Sequence, residues 1–347
     1  MNILLRLLRR LLPVLLLAAP AALFAAGYEP DSDMAPPGAS SGGPERRTVG
    51  LFTRLFNSPA KTNAAEQLAF ARDLESRKYV KHARKAYKAA FLFYPNSEEA
   101  PVALLSYARL LQQDKHYGEA FSEYQYLIDT YGGRFAYTNM TYDDIIQQQY
   151  ALAGDVETER YGRWFFGIGF VSAERAIPLY FQVASNAPTR PEAPVAIIRS
   201  AAIFQKGEDY DSAIRAYADL QTRYPETDQA KEAAYQMVNC MMAIAHRQRN
   251  NTQHTLNTLA ALEQYKKDHA DDPRMPAIEA NLAELNGRQA RTLMDRAYVY
   301  ERAGKNETAI ALYQQVVDQY TTSELANKAN LKIKSLSLSP SPKEPPK

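Results

Sequence analysis

Small residues, aromatics and aliphatics recur through the middle of the chain at intervals of four, three and four. One copy is Ala83, Tyr87, Ala90 and Tyr94 before Pro95, and another is Ala120, Tyr124, Leu127 and Tyr131 before Gly132. The series continues with Ala176, Tyr180, Val183 and Ala187 before Pro188, then Ala213, Tyr217, Leu220 and Tyr224 before Pro225. Ala309, Tyr313, Val316 and Tyr320 close it, and Thr258, Leu262, Tyr265 and His269 form a weaker copy. This spacing places all the side chains of a copy on one face of a helix. The alanine lets a neighbouring helix approach closely, while the tyrosine fills the groove beside it. The proline that follows three of the copies cannot continue a helix and punctuates the unit.

Upstream of the copies lie further helical stretches, such as Val102 to Gln113 and Val195 to Gln205, joined on by short turns such as Gly207-Glu208-Asp209. Helix, tight turn and helix at a fixed period predict stacked hairpins. Ala83 and Ala120 stand 37 positions apart, as do Ala176 and Ala213. The pattern resembles the tetratricopeptide repeat, whose ideal period is about 34. We therefore expect an all-α, tetratricopeptide-like helical solenoid of about five to six helix-turn-helix repeats over residues 63–334. The longest predicted helix runs from Pro276 to Ala303, weakened only by Gly287.

One unit departs from the pattern. Between the second and third copies, Arg160-Tyr161-Gly162-Arg163-Trp164-Phe165-Phe166-Gly167-Ile168-Gly169-Phe170 inserts an aromatic loop ahead of a helix expected near Ser172. Clustered Trp, Phe and Arg are what partner-binding hot spots use, so Arg163, Trp164, Phe165 and Phe166 are candidate contacts. The alternative is that these rings tuck into the array and bridge two repeats.

The chain ends differ in composition. Arg6, Arg9 and Arg10 precede the apolar run Leu11 to Ala26, and Ala25-Ala26-Gly27 supplies small residues before Tyr28, as in a secretory signal peptide over residues 1–27. An uncleaved leader would act as an N-terminal anchor instead. Residues 28–62 read as a flexible linker, in which Val49-Gly50-Leu51-Phe52 with Leu55 and Phe56 is expected to cap the first repeat. Residues 335–347, rich in Ser, Pro and Lys, read as a disordered tail. With the three leader arginines set aside, 38 basic side chains face 39 acidic ones, so nothing in the charge points to nucleic acid. The single cysteine, Cys240, cannot form an internal disulfide and reads as a small buried apolar residue. An exported helical protein without disulfides fits a bacterial envelope better than eukaryotic secretion.

No catalytic set emerges. His82, His116, His246, His254 and His269 lack metal-ligand spacing, Gly167-Ile168-Gly169 lacks the third glycine of a dinucleotide loop, and no nucleophile elbow is present. The acidic pairs Glu98-Glu99, Asp143-Asp144 and Asp271-Asp272 stand at expected helix starts or turns, where carboxylates cap or solvate. We expect no enzyme activity, no cofactor, no metal and no small-molecule substrate.

Over residues 63–334 the chain also resembles the BamD family, the repeat subunit of the machinery that assembles β-barrels in the bacterial outer membrane. The likeness rests on the leader, on Phe93-Tyr94-Pro95-Asn96-Ser97, and on the Trp164-Phe165-Phe166-Gly167 insert. Ala297-Tyr298-Val299-Tyr300, Gly304 and Tyr313-Gln314-Gln315-Val316-Val317 complete it. The resemblance implies a periplasmic scaffold held at the outer membrane. Its C-terminal repeats would contact the barrel-forming subunit, and its N-terminal repeats would receive unfolded barrel substrates. It also implies a lipid-bearing cysteine after the signal, whereas Tyr28 stands there and can carry no such anchor. The alternative reading is a general periplasmic adaptor, for example one coordinating cell-wall synthesis.

Overall fold

The computed structural model describes residues 58–132, 138–161, 170–321 and 323–338, so the leader, most of the linker and the last nine residues lie outside the description. Thirteen α-helices make up almost all of it. They pair as α1 (Ala64–Ser76) with α2 (Val80–Phe93), and α3 (Glu99–Gln113) with α4 (Tyr117–Tyr131). The next pairs are α5 (Tyr142–Thr158) with α6 (Ile177–Asn186), and α7 (Glu192–Lys206) with α8 (Tyr210–Arg223). Then come α9 (Asp228–Arg247) with α10 (Thr252–Asp268), α11 (Met275–Arg302) with α12 (Asn306–Gln319), and a closing helix α13 (Glu324–Leu338). The array is thus six hairpins and one further helix, one more helix than six complete repeats require.

The repeated copies explain this arrangement. Each falls on the second helix of a hairpin, with Ala176 in the short turn that opens α6, and its small residue, tyrosine and aliphatic are all buried, including Thr258, Leu262 and Tyr265 of the weak copy. Pro101 and Pro194 sit in the first turns of α3 and α7, where a missing N–H costs nothing, so these helices begin three residues earlier than expected.

The turns inside four hairpins share one geometry. After α1, α3, α7 and α11 the backbone turns left-handed at Lys78, Lys115, Glu208 and Gly304, with φ between 62° and 71°. In each, the next residue's N–H reaches a carbonyl five positions back, as Tyr79 does to Leu74 and Lys305 to Tyr300. This satisfies the orphan carbonyls of the helix end.

Two expected boundaries move. The helix foreseen near Ser172 opens as a 3-10 turn over Ala173–Ala176, and α6 proper starts at Ile177, because Pro178 suits only a first turn. Of the tail expected over residues 335–347, the first four residues are helical. Residues 335–338 continue α13, whose Ile333 and Leu336 pack against the core of the last hairpin.

The buried apolar side chains form three clusters. The first runs without a break from Leu68 in α1 to Cys240 in α9. A second joins α9, α10 and the first half of α11 through Val238, Leu262, Ile278, Leu282 and Leu285. The third joins the rest of α11 to α12 and α13 through Ala290, Ala297, Tyr313 and Ala329. Cys240 is fully buried, and burial pushes its thiol up to about 11, so it stays protonated and packs as a small apolar group.

Candidate interaction surface

The tyrosine of each copy does more than fill space. Tyr87 of α2 donates to Glu75 of α1, and Arg109 of α3 binds the other oxygen of that carboxylate at 3.1 Å. Tyr180 donates to Glu157 at 2.7 Å, with Arg199 at 3.9 Å from its second oxygen. Tyr313 donates to Glu301 at 2.7 Å, and Lys332 of α13 holds the same carboxylate at 2.8 Å. In the fourth hairpin amides replace the charges. Tyr217 donates to Gln205 at 2.7 Å, and Gln205 donates to Gln236 of α9 at 3.1 Å. Each clasp ties both helices of one hairpin to the first helix of the next.

Burial, with the neighbouring carboxylate in three cases, pushes Tyr87, Tyr180, Tyr217 and Tyr313 well above the ordinary phenol value. Burial also works to raise the Glu301 carboxyl, but Lys332 and the Tyr313 hydroxyl outweigh it and leave it below its usual range. The fifth hairpin shifts the acid into the following turn. Tyr265 donates to Asp272 at 2.6 Å, Arg274 grips both oxygens of Asp272, and its remaining nitrogen meets Glu232 of α9. The guanidinium also lies 4.0 Å from the Tyr235 ring centroid. The Arg274 bonds hold the Asp272 carboxyl far below the carboxylate range.

Amides join the second and third hairpins. Gln149 of α5, fully buried, donates to Gln125 of α4 at 2.9 Å, and Asn186 donates to both glutamines at 2.7 and 2.8 Å. Tyr142 donates to the Asn186 carbonyl at 2.7 Å. These groups satisfy one another, so they hold hairpins together and offer little to a ligand.

Arg163, Trp164, Phe165 and Phe166 lie outside the described residues, as does Tyr28. What the structure describes is their base. Arg160–Tyr161 and Phe170–Val171 pair antiparallel, Arg160 opposite Val171 and Tyr161 opposite Phe170. Arg175 braces the ribbon's approach from 3.4 Å to Glu159. The sequence reading passed over a second group. Of the seven large apolar side chains that stand exposed among the described residues, four lie in the last three helices: Tyr298 at 50 %, Val299 at 64 %, Leu331 at 68 % and Leu338 at 85 %. The Lys332 ammonium, next in sequence to Leu331, lies 5.9 Å from the Tyr298 ring centroid, so α11 and α13 meet at this group. Large apolar side chains left exposed on adjoining helices are candidates for a contact surface.

A family profile described as tetratricopeptide repeat matches residues 196–227 and 291–323, which span α7–α8 and α11–α12. Those two segments are tetratricopeptide repeats, and the array around them is a tetratricopeptide-like solenoid. No curated protein matches the chain. A solved tetratricopeptide repeat protein from Parabacteroides merdae is similar at 10% identity and a TM-score of 0.26, over 79% of this chain and 98% of its own. Tetratricopeptide-like repeats of a putative kinesin light chain from Podospora anserina align at 15% identity and a TM-score of 0.29, over 66% of this chain and 99% of theirs. Pseudomonas aeruginosa pilF aligns at 13% identity and a TM-score of 0.24, over 79% of this chain and 96% of its own. The fold therefore rests on the hairpins and on the two matched segments. An array of tetratricopeptide repeats is a scaffold for protein partners, since stacked hairpins present one extended surface.

Proposed function

We propose that this chain is a non-catalytic scaffold of the bacterial envelope, BamD-like, that takes part in assembling and inserting outer-membrane β-barrel proteins. The observation that carries the reading is the exposed apolar group Tyr298, Val299, Leu331 and Leu338 on the last hairpin and closing helix. It lies in the C-terminal repeats, the part that the resemblance assigns to the barrel-forming subunit. The Trp164-Phe165-Phe166-Gly167 insert and the leader support the same reading from the sequence. The protein would be periplasmic and held at the outer membrane by its partners. Unfolded barrel segments would be received by the N-terminal repeats.

The test is a mild-detergent pull-down of the tagged protein from its native envelope, with the co-purified proteins identified by mass spectrometry. A large β-barrel assembly protein at near-stoichiometric yield, lost on Leu331→Glu, supports the proposal. Recovery of cell-wall enzymes alone overturns it and leaves the general periplasmic adaptor. Tyr28 at the place of the family's lipid-bearing cysteine is the observation that favours that second reading.

A further inference from the structure

The long helix α11 contributes to two separate apolar clusters. Ile278, Leu282 and Leu285 of its first half pack with α9 and α10, whereas Ala290 and Ala297 of its second half pack with α12 and α13. The two clusters share no residue. The junction before it is built differently: along α9 the two sets interleave, Ala233 and Cys240 packing with the first cluster and Ala234 and Val238 with the second, so no point of that helix separates them. The Gln205–Gln236 bond and the Arg247–Glu208 ion pair also tie α7 and its turn to α9 there.

Gly287 sits in the seam, between Leu285 and Ala290. A methyl group added there would meet nothing within 4 Å, so close packing does not account for the glycine. In mid-helix it weakens local backbone order instead. The next residue reaches back. Arg288 donates to the Ala245 carbonyl at the end of α9 from 2.8 Å, and Glu284, its neighbour one turn earlier, lies 3.5 Å from His246. Beyond Arg288, no ion pair among the described residues returns to residues 64–285.

We propose that Gly287 is a hinge and Arg288 its latch, so that residues 290–338 swing as a body against residues 64–285. The device sets the spacing between the C-terminal apolar group and the rest of the scaffold. It does not depend on which partner that group meets.

Spin-label distance measurements on the full chain test it. Labels at Glu226→Cys and Lys328→Cys straddle the seam, and labels at Glu119→Cys and Glu226→Cys form a control within the first body. Cys240, buried and protonated, stays unlabelled. The distance distribution across the seam should be broader than the control, should narrow with Gly287→Ala, and should broaden with Arg288→Met. Amide exchange just past the seam should slow about 5-fold in Gly287→Ala, the factor that a glycine-to-alanine change in helix propensity corresponds to. Equal widths for the two pairs, unmoved by either variant, would overturn the hinge and leave α11 a rigid rod.

Discussion

Residues 64–240 and residues 290–338 are made of the same hairpins and hold together differently. In the first region each helix packs on neighbours before and after it, so one apolar cluster passes through four hairpins into α9. In the second a single helix supplies the connection, and a separate small cluster does the rest. A repeat array gains cooperativity from the interfaces between neighbours as much as from the repeats themselves. Where the interface narrows to one helix, the array should behave as two folding units.

The largest effect should separate these units. Leu127→Ala, in the continuous cluster, should cost about 2–5 kcal/mol and lower the main thermal transition. Tyr313→Ala should cost about 3–5 kcal/mol but release only residues 290–338. Amide exchange read region by region checks the contrast, and a uniform loss of protection in Tyr313→Ala would contradict it.

Alkali should come next. The clasp tyrosines and Tyr265 have folded values raised above the free phenol's 10.0. A raised value means stabilisation that is complete below about pH 10 and is lost as pH climbs toward the folded value. Denaturant melts between pH 9 and 12, with tyrosinate absorbance followed alongside, should show unfolding and ionisation together. Early, independent ionisation would show that the hydroxyls are not held.

Acid acts on the junction at α9 to α11. Asp272 is lowered in the fold, so its contribution is present above the ordinary carboxylate range and is lost as pH falls toward the folded value. Arg274→Met should cost about 1–3 kcal/mol, because it leaves Asp272 and Glu232 without their shared partner, and should remove most of the acid dependence below pH 4. An unchanged acid limb in that variant would place the sensitivity elsewhere.

The turns should give the smallest effects. Gly304→Ala puts a side chain at φ 71° and should cost about 1 kcal/mol, all of it in the second region. Lys115→Gly relieves the same strain in the first region and should stabilise by at most about 0.5 kcal/mol, since glycine also loses more freedom on folding. Chemical denaturation of both variants settles the signs.

The hairpins were legible because each second helix repeats a buried small residue, tyrosine and aliphatic. What escaped followed from side chains whose meaning depends on a neighbour far along the chain. Glu75 and Glu301 look like any solvated acid until Tyr87 and Tyr313 arrive from the next helix. Lys78, Lys115 and Glu208 carry no sign of a left-handed turn, and only Gly304 wears the usual one. In α11 the apolar positions step four and three to Leu285 and then five to Ala290, a shift of face that interrupts no helix signal, so the stretch reads as one element although its halves join different clusters. The end of α13 was read as tail because its serines and lysines mask the spacing of Ile333 and Leu336. Of the exposed C-terminal apolar residues, Tyr298 and Val299 entered only through a likeness and Leu331 and Leu338 not at all, since exposure is a property of the stack.

The amide knot of Gln125, Gln149 and Asn186 bears on how such an array can be lengthened or recombined. A copy of the first or third hairpin brings its own clasp acid and tyrosine with it. A copy of the first inserted between the second and third hairpins would bring none of these amides, and orphaned amides cost about 1–3 kcal/mol each. Duplication and repeat grafting should therefore succeed at the clasped joints and fail at this one, which fixes the second and third hairpins as neighbours.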